Sequence, residues 1–560
     1  MANTGLLRDW LWFYQNGGKL ARYSNVNKTS RFNLTVKEAV DNYKIDTSLV
    51  SGLPDNEMIA HDSIRFENVL GGVGNNGYIN TVESINEDLV IIGGKFNEFN
   101  NETCNSCIFL QPRLNTDFNL NFSQSIFPRH VNVYKNGGIG EIRKIRAKYI
   151  PLGGPNPYWD VVFCGDYDTF EFNGVPYPSS GFDIIRITKN TNTKVISYTY
   201  KEWTNVFNGQ VFDFDFSREF EVDDREVYIV GNFTAHNGAY TPGIIKYDYR
   251  DGTVKDHFTD SQFSAPTFQG TKTVVRSIKK EVSTGSGVVL NRYSIAVGGL
   301  FTYKNALNET CNNFIITNTS GRFNNSTYLH SGKALHNFGQ GRITDITHIY
   351  QTNGDVDYGI SGEFSSYNGY SSHGFVVLRY SSSSTGSRTI FDIVYPKSNV
   401  NVRGTVKGIL TPKGVNTTRS LYFYGDFTDM QLITRRDYSL PELINPYLSG
   451  LNGICRYEWE SWITYTSGGI GVNTSSTRLK QGFWGGTVND MVRIKNVSQP
   501  GYVYEVYMVV GSFKENINGT KSFGIAILVM EQITPASGIK PGPSFSIYPN
   551  SEYYFNPDNK

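Results

Sequence analysis

Apolar residues along this chain fall in short runs of four or five, broken by Gly, Asn, Ser and Pro, with no sustained 3.6-residue period between them. One arrangement recurs seven times: an apolar β-rich run, a glycine, one residue, then an aromatic. Its copies are LVIIGGKF ending at Phe96, VVFCGDY at Tyr167, VYIVGNF at Phe233, SIAVGGLF at Phe301, YGISGEF at Phe364, LYFYGDF at Phe427 and MVVGSF at Phe513. Successive aromatics are 71, 66, 68, 63, 63 and 86 residues apart. Such spacing defines a structural unit.

The flanks repeat with the motif. Before each aromatic stands an apolar-x-x-apolar segment: Val82/Ile85, Ile142/Ile145, Val211/Phe214, Val275/Ile278, Ile343/Ile346, Val406/Ile409 and Val488/Met491. After it, across a turn, comes another strand-like run, beginning at Ile108, Ile184, Ile244, Ile315, Val376, Ile454 and Ile525. Several units add a fourth segment, at Lys194, Thr253 and Thr389. Four short strands per unit and seven units predict an all-β fold, a seven-bladed β-propeller with four-stranded blades. A run apolar at consecutive positions fits a strand buried on both faces between blades. The glycine allows close backbone approach, and the aromatic fills the wedge between blades.

The best copies, VGNFTAHNG from Val230 to Gly238 and SGEFSSYNG from Ser361 to Gly369, resemble the delta-60 type of repeat. More loosely they are similar to kelch-like and Rax2-type propellers. VGGLFTYKN from Val297 and IGGKFNEFNN from Ile92 follow closely, and the resemblance spans about residues 80 to 530. It implies a propeller and leaves function open, because propellers host binding, scaffolding and catalysis.

The repeat sets three expected regions: an N-terminal arm over 1–75, the propeller over 76–534 and a C-terminal tail over 535–560. The arm is expected to be mostly irregular, with a short helix opened by the capping box Thr35-x-x-Glu38 and running to about Tyr43. Within it, SIRFENVL from Ser63 offers a strand that could complete the last blade and close the ring. GGVGNNG from Gly71 reads as a turn. The tail, rich in Pro, Asn, Ser and Tyr, is expected to be extended.

Composition narrows the function. Lys plus Arg is 52 and Asp plus Glu is 51, so no global field attracts nucleic acid. No apolar run is long enough to cross a bilayer, and the N-terminus lacks a signal peptide's apolar core, so synthesis in the cytoplasm and no membrane insertion are expected. Five cysteines are too few for a disulfide scaffold. The lone CNSC at Cys104 to Cys107 reads as a turn, because NETCN recurs around Cys311. His330 with His336 reads as a chance pair, so no metal and no cofactor is expected.

Candidate contact residues are Trp10 and Trp12 in the arm, and Arg435, Arg436, Tyr438 and Tyr447 in the 434–450 insertion of the sixth unit. Long loops on rigid scaffolds commonly carry function. Asp166, Glu363 and Asp426 follow the motif glycine, where a glycosidase would gather acids, yet other units carry Lys, Asn, Leu or Ser there. The expected function is a non-catalytic structural or adaptor protein of a larger assembly, with a virus or phage particle as its setting. Its partners would be other proteins, met through the terminal arms and the 434–450 loop. A lectin-like propeller binding surface glycans is the alternative, and a glycoside-active enzyme the third reading.

Overall fold

In the computed structural model each motif becomes the second strand of an antiparallel sheet. Between Val73 and Ile533 most of the chain is described, the longest omissions being 317–335 and 459–485. Outside that range 34–35, 58–59, 61–68 and 545–546 are described.

Seven three-stranded ladders follow one another among the described residues, the fifth and sixth joined into one sheet where Gly374 and Phe375 pair with Asn401 and Val400. Their inner strands are Tyr78–Asn86, Glu141–Ile150, Val211–Phe216, Thr267–Ser283, Ile343–Gln351, Ser398–Leu410 and Val488–Gln499. Each pairs with its motif strand, which pairs with a third strand. A fourth strand is described in four units: Ile196–Lys201, Thr253–Asp256, Thr389–Asp392 and His61–Asn68. The last of these comes from the N-terminal arm and lies antiparallel to Ile525–Ile533 of the seventh unit.

The core lies between units. Cys107 and Phe109 of the first unit pack with Ile142 and Ile145 of the second, and Cys164 of the second with Phe214 of the third. The succession continues through Val230 with Val275, Phe314 with Ile360, Phe375 against Phe423 at 5.0 Å between ring centroids, and Tyr422 with Tyr507. Met508 and Val510 of the seventh unit then meet Val82 and Ile92 of the first. Thr81 Oγ1 donates to Asp490 Oδ2 across that last junction at 3.0 Å. The cycle is closed, so every inner strand has a neighbour on each side among the described residues.

Two features depart from the sequence reading. Thr35 lies in a two-residue strand with Leu34, paired to Met58 and Ile59; the rest of the expected helix lies outside the described residues. The second unit also carries an accessory sheet that sequence patterning missed, made of Val131–Lys135, Gly138–Ile139, Thr169–Phe172 and Val175–Pro178. Its strands are only two to five residues long, below the length at which a period of two stands out from noise.

Candidate functional site

The motif has a geometric cause. A β-carbon on Gly94, Gly165, Gly231, Gly299, Gly362, Gly425 or Gly511 would lie 1.9 to 2.3 Å from a carbonyl oxygen of the inner strand or of the residue just before it. The inner strand bulges at that point in every unit, for example between Ile142 and Lys144 and between Val211 and Asp213. Only glycine fits so close a crossing. The aromatic two residues on is buried in all seven units, at 1 to 3 % exposure. Burying each ring contributes roughly 1.5–3 kcal/mol.

A second periodic position lies at or near the start of the third strand. Ser106, Gly181, Gly243, Asn313, Gly374, Gly453 and Gly524 all have φ between 66 and 85°. Cys104 and Cys311 stand two residues before Ser106 and Asn313, which gives the recurring NETCN a structural origin. Cys104, Cys107, Cys164 and Cys311 are buried, and none is in a disulfide. Between second and third strands, Asn173–Gly174, Asn237–Gly238 and Asn368–Gly369 turn tight hairpins with φ near 50° then 80°, and Asn136–Gly137 does the same in the connection entering the second unit's inner strand. These hairpins, together with the connections entering each inner strand, form one face of the disc.

Along the axis, the bulged inner strands are stitched to one another. Asp213 Oδ2 accepts from Val275 N at 3.2 Å, Asp345 Oδ2 from Ile409 N at 3.4 Å, Asp490 Oδ2 from Val82 N at 3.2 Å and Thr81 Oγ1 from Ile145 N at 3.3 Å. Side chains at the bulge donate onward to the next carbonyl: Asn80 to Ile142, Thr273 to Ile343, Thr344 to Val406 and Asn489 to Ile79, at 2.6 to 3.0 Å. The acids are matched by cations. Arg276 bridges Asp213 at 2.6 Å and Asp345 at 2.7 Å, Arg146 meets Asp215 at 2.5 Å and Lys144 reaches Asp490 at 3.5 Å.

Burial lowers the affinity of Arg276 for its proton, but Asp213, Asp345 and Asp215 outweigh it and hold the guanidinium above its ordinary range. Burial would raise Asp345, yet Arg276 and Lys144, with the Thr347 hydroxyl, hold it below the usual carboxylate range. Glu83 is pushed up to about 7 by burial, against the pull of Arg146 and Lys144. Paired in this way, the axial aspartates are ties between units.

Asp166, Glu363 and Asp426 stand in three different units at the hairpin end of the second strand. Asp166 accepts from Gln210 at 2.7 Å and lies 3.3 Å from Lys135, while Glu363 pairs with Arg342 at 2.7 Å. Sequence reading missed the axial acids Asp213, Asp215, Asp345 and Asp490. Their signal was an acid inside the apolar-x-x-apolar segment for Asp213, Asp345 and Asp490, and just after it for Asp215, visible only once the bulge is known. Trp10, Trp12, Arg435, Arg436, Tyr438 and Tyr447 lie outside the described residues. Leu443 and Ile444, within the insertion, pair back onto Thr434 and Ile433.

His336 is buried, with Nδ1 2.7 Å from the Tyr367 hydroxyl, and burial pushes it down to about 3; His330 lies outside the described residues. No group of three or more His, Cys, Asp or Glu placed to hold a metal ion occurs among the described residues.

Exposure of large apolar side chains is uneven. Among the described residues they are Tyr149, Val175, Val206, Tyr240 and Leu300. All but Tyr149 lie on the hairpin face. The outer strand there, Val175–Pro178, is closed to strand addition: Phe172 and Val175 flank the two-residue turn, so the outward positions are Pro176 and Pro178, which have no N–H.

A closed ring of radially stacked antiparallel sheets, glycine-crossed at each inner strand, defines a β-propeller. No protein-family model matches the chain, and no curated protein matches its sequence. Among solved structures it is similar to Sqt1 from Chaetomium thermophilum, at 9 % identity and TM-score 0.34, covering 84 % of this chain and 100 % of that one. The N-terminal domain of Nup159 follows at 8 % identity and TM-score 0.33, covering 84 % and 95 %. A Trypanosoma rangeli sialidase aligns at 9 % identity and TM-score 0.23, covering 75 % and 57 %. Likeness this distant carries no argument about function.

Proposed function

We propose that this propeller is a non-catalytic scaffold that binds a protein partner on its hairpin face. The observation that carries the reading is the concentration of exposed Val175, Val206, Tyr240 and Leu300 on that face. The cross-linked axis supports it, since carboxylates already held by cations and amides are poorly suited to chemistry. A virus or phage particle is the proposed setting, supported by the charge-poor, Asn- and Gly-rich composition and by unrepeated arms at both ends. Kinship with delta-60 repeats is likewise proposed, supported by the steric role of the glycine and the Asn–Gly hairpin in the copies that match best.

The test compares two faces. Proteins co-purifying with the wild-type chain should be lost from a Val206→Asp, Tyr240→Asp double variant and kept by Tyr149→Asp, with solution mass by light scattering separating hetero-association from self-association. Loss from both variants, or from neither, rejects the hairpin face.

A further inference from the structure

We propose that Asp183 is a proton-controlled fastening for the accessory sheet of the second unit, holding that sheet tightest when its carboxyl is neutral. Asp183 is 3 % exposed and sits on the third strand, paired with Phe163 of the motif strand. By the same register, the other units place Ile108, Ile245, Ile315, Val376, Cys455 and Ala526 there. An acid therefore replaces an apolar residue only in the unit that carries the accessory sheet.

Its partners tie that sheet down from two sides. Ser179, the residue after the accessory strand Val175–Pro178, donates from Oγ to Asp183 Oδ2 at 2.5 Å. The Tyr200 hydroxyl on the outer strand donates to Oδ1 at 2.8 Å. The Tyr200 ring stacks on Phe170 at 5.4 Å and lies 4.2 Å from Tyr177, both in the accessory hairpin. The titratable groups facing Asp183 are Tyr167 from the motif and Tyr200, with Cys164 beside Tyr167. These groups are all neutral at ordinary pH, and among the described residues no cation is one of the groups acting on the carboxyl.

Among the described residues, a carboxylate at this place has no counter-charge to offset its burial. Burial accordingly pushes Asp183 up to about 6, against the hydrogen bonds of Ser179, Tyr200 and Tyr167. Hydroxyl partners can donate or accept, so the neutral carboxyl keeps the same geometry. A folded-state value above the ordinary one means stability that is complete in acid and lost as pH rises toward 6.

Hydrogen exchange on the intact chain tests this without any partner, so it stands or falls apart from the docking reading. After correction for intrinsic rates, protection of the Thr169–Phe172 and Tyr177 amides should fall roughly tenfold or more between about pH 4 and 7, while the Ala235–Tyr240 hairpin, whose unit has Ile245 at this position, should not follow. Asp183→Asn should flatten the profile at the acid level. Tyr200→Phe, which keeps the ring and removes a donor to the ionised form, should move the midpoint upward. An equal slope in both hairpins, a slope retained by Asp183→Asn, or an unmoved midpoint in Tyr200→Phe overturns the proposal. If Asp183→Asn does not fold, the two-hairpin comparison in the wild type and the Tyr200→Phe midpoint still decide it.

Discussion

Arg276 shows how single residues hold the ring. Its guanidinium joins Asp213 and Asp345, which belong to units on either side of its own. Arg276→Gln should lower stability by about 3–5 kcal/mol, because it strands two carboxylates out of water. Urea unfolding measures this, and a loss under about 1 kcal/mol would show that the pair is not interdependent. In the wild type the contribution of Asp345 is complete above about pH 4 and lost as acid is added, since its carboxyl is held below the ordinary range. Lys272 behaves oppositely. It takes the buried place held by Ile142, Val211 and Ile343 in other units and donates to the carbonyl oxygens of Pro242 and Gly270. Burial draws it down to about 8, so wild-type stability should rise as pH goes from about 8 toward 10.5. Lys272→Met should remove that slope and add about 1–2 kcal/mol at neutral pH, read as urea midpoints at both ends of the range.

The unit is set by crossings and turns as much as by apolar strands. Two glycines of the third unit separate the two demands made on glycine. Gly231 is crossed by the Gln210 carbonyl, whereas Gly238 has φ +79° and open space around it. Gly231→Ala should therefore cost about 3 kcal/mol or more through displaced backbone, and Gly238→Ala only about 1 kcal/mol through an unfavourable dihedral. Thermal unfolding of the pair ranks them, and the reverse order would refute the steric account. The motif strands were legible in sequence because consecutive apolar positions and a fixed glycine leave a strong local signal. The accessory sheet was not, because its strands are too short to show a period and its hairpin sits inside what reads as a connection.

Over the whole molecule the ring closes through a strand that precedes the first unit in sequence. His61–Asn68 completes the seventh unit, beside Ile525–Ile533, so both ends of the chain contribute to one sheet. Removal of residues 1–68 should expose the edge of Ile525–Ile533, lower the unfolding midpoint and promote self-association, followed by light scattering against denaturant titration. An unchanged midpoint and mass would show that the closure adds nothing. Seven motif copies and the strand that could close the last unit were determined by the sequence, because each depends on residues near one another in the chain. Which side chains face the axis, which acid meets which cation, and the hydroxyl partners that gather around Asp183 were decided only by the tertiary structure. The axial contacts join residues about sixty positions apart, or over four hundred at the closure, and they depend on a bulge that turns the inner strand by one residue. No local pattern records that turn.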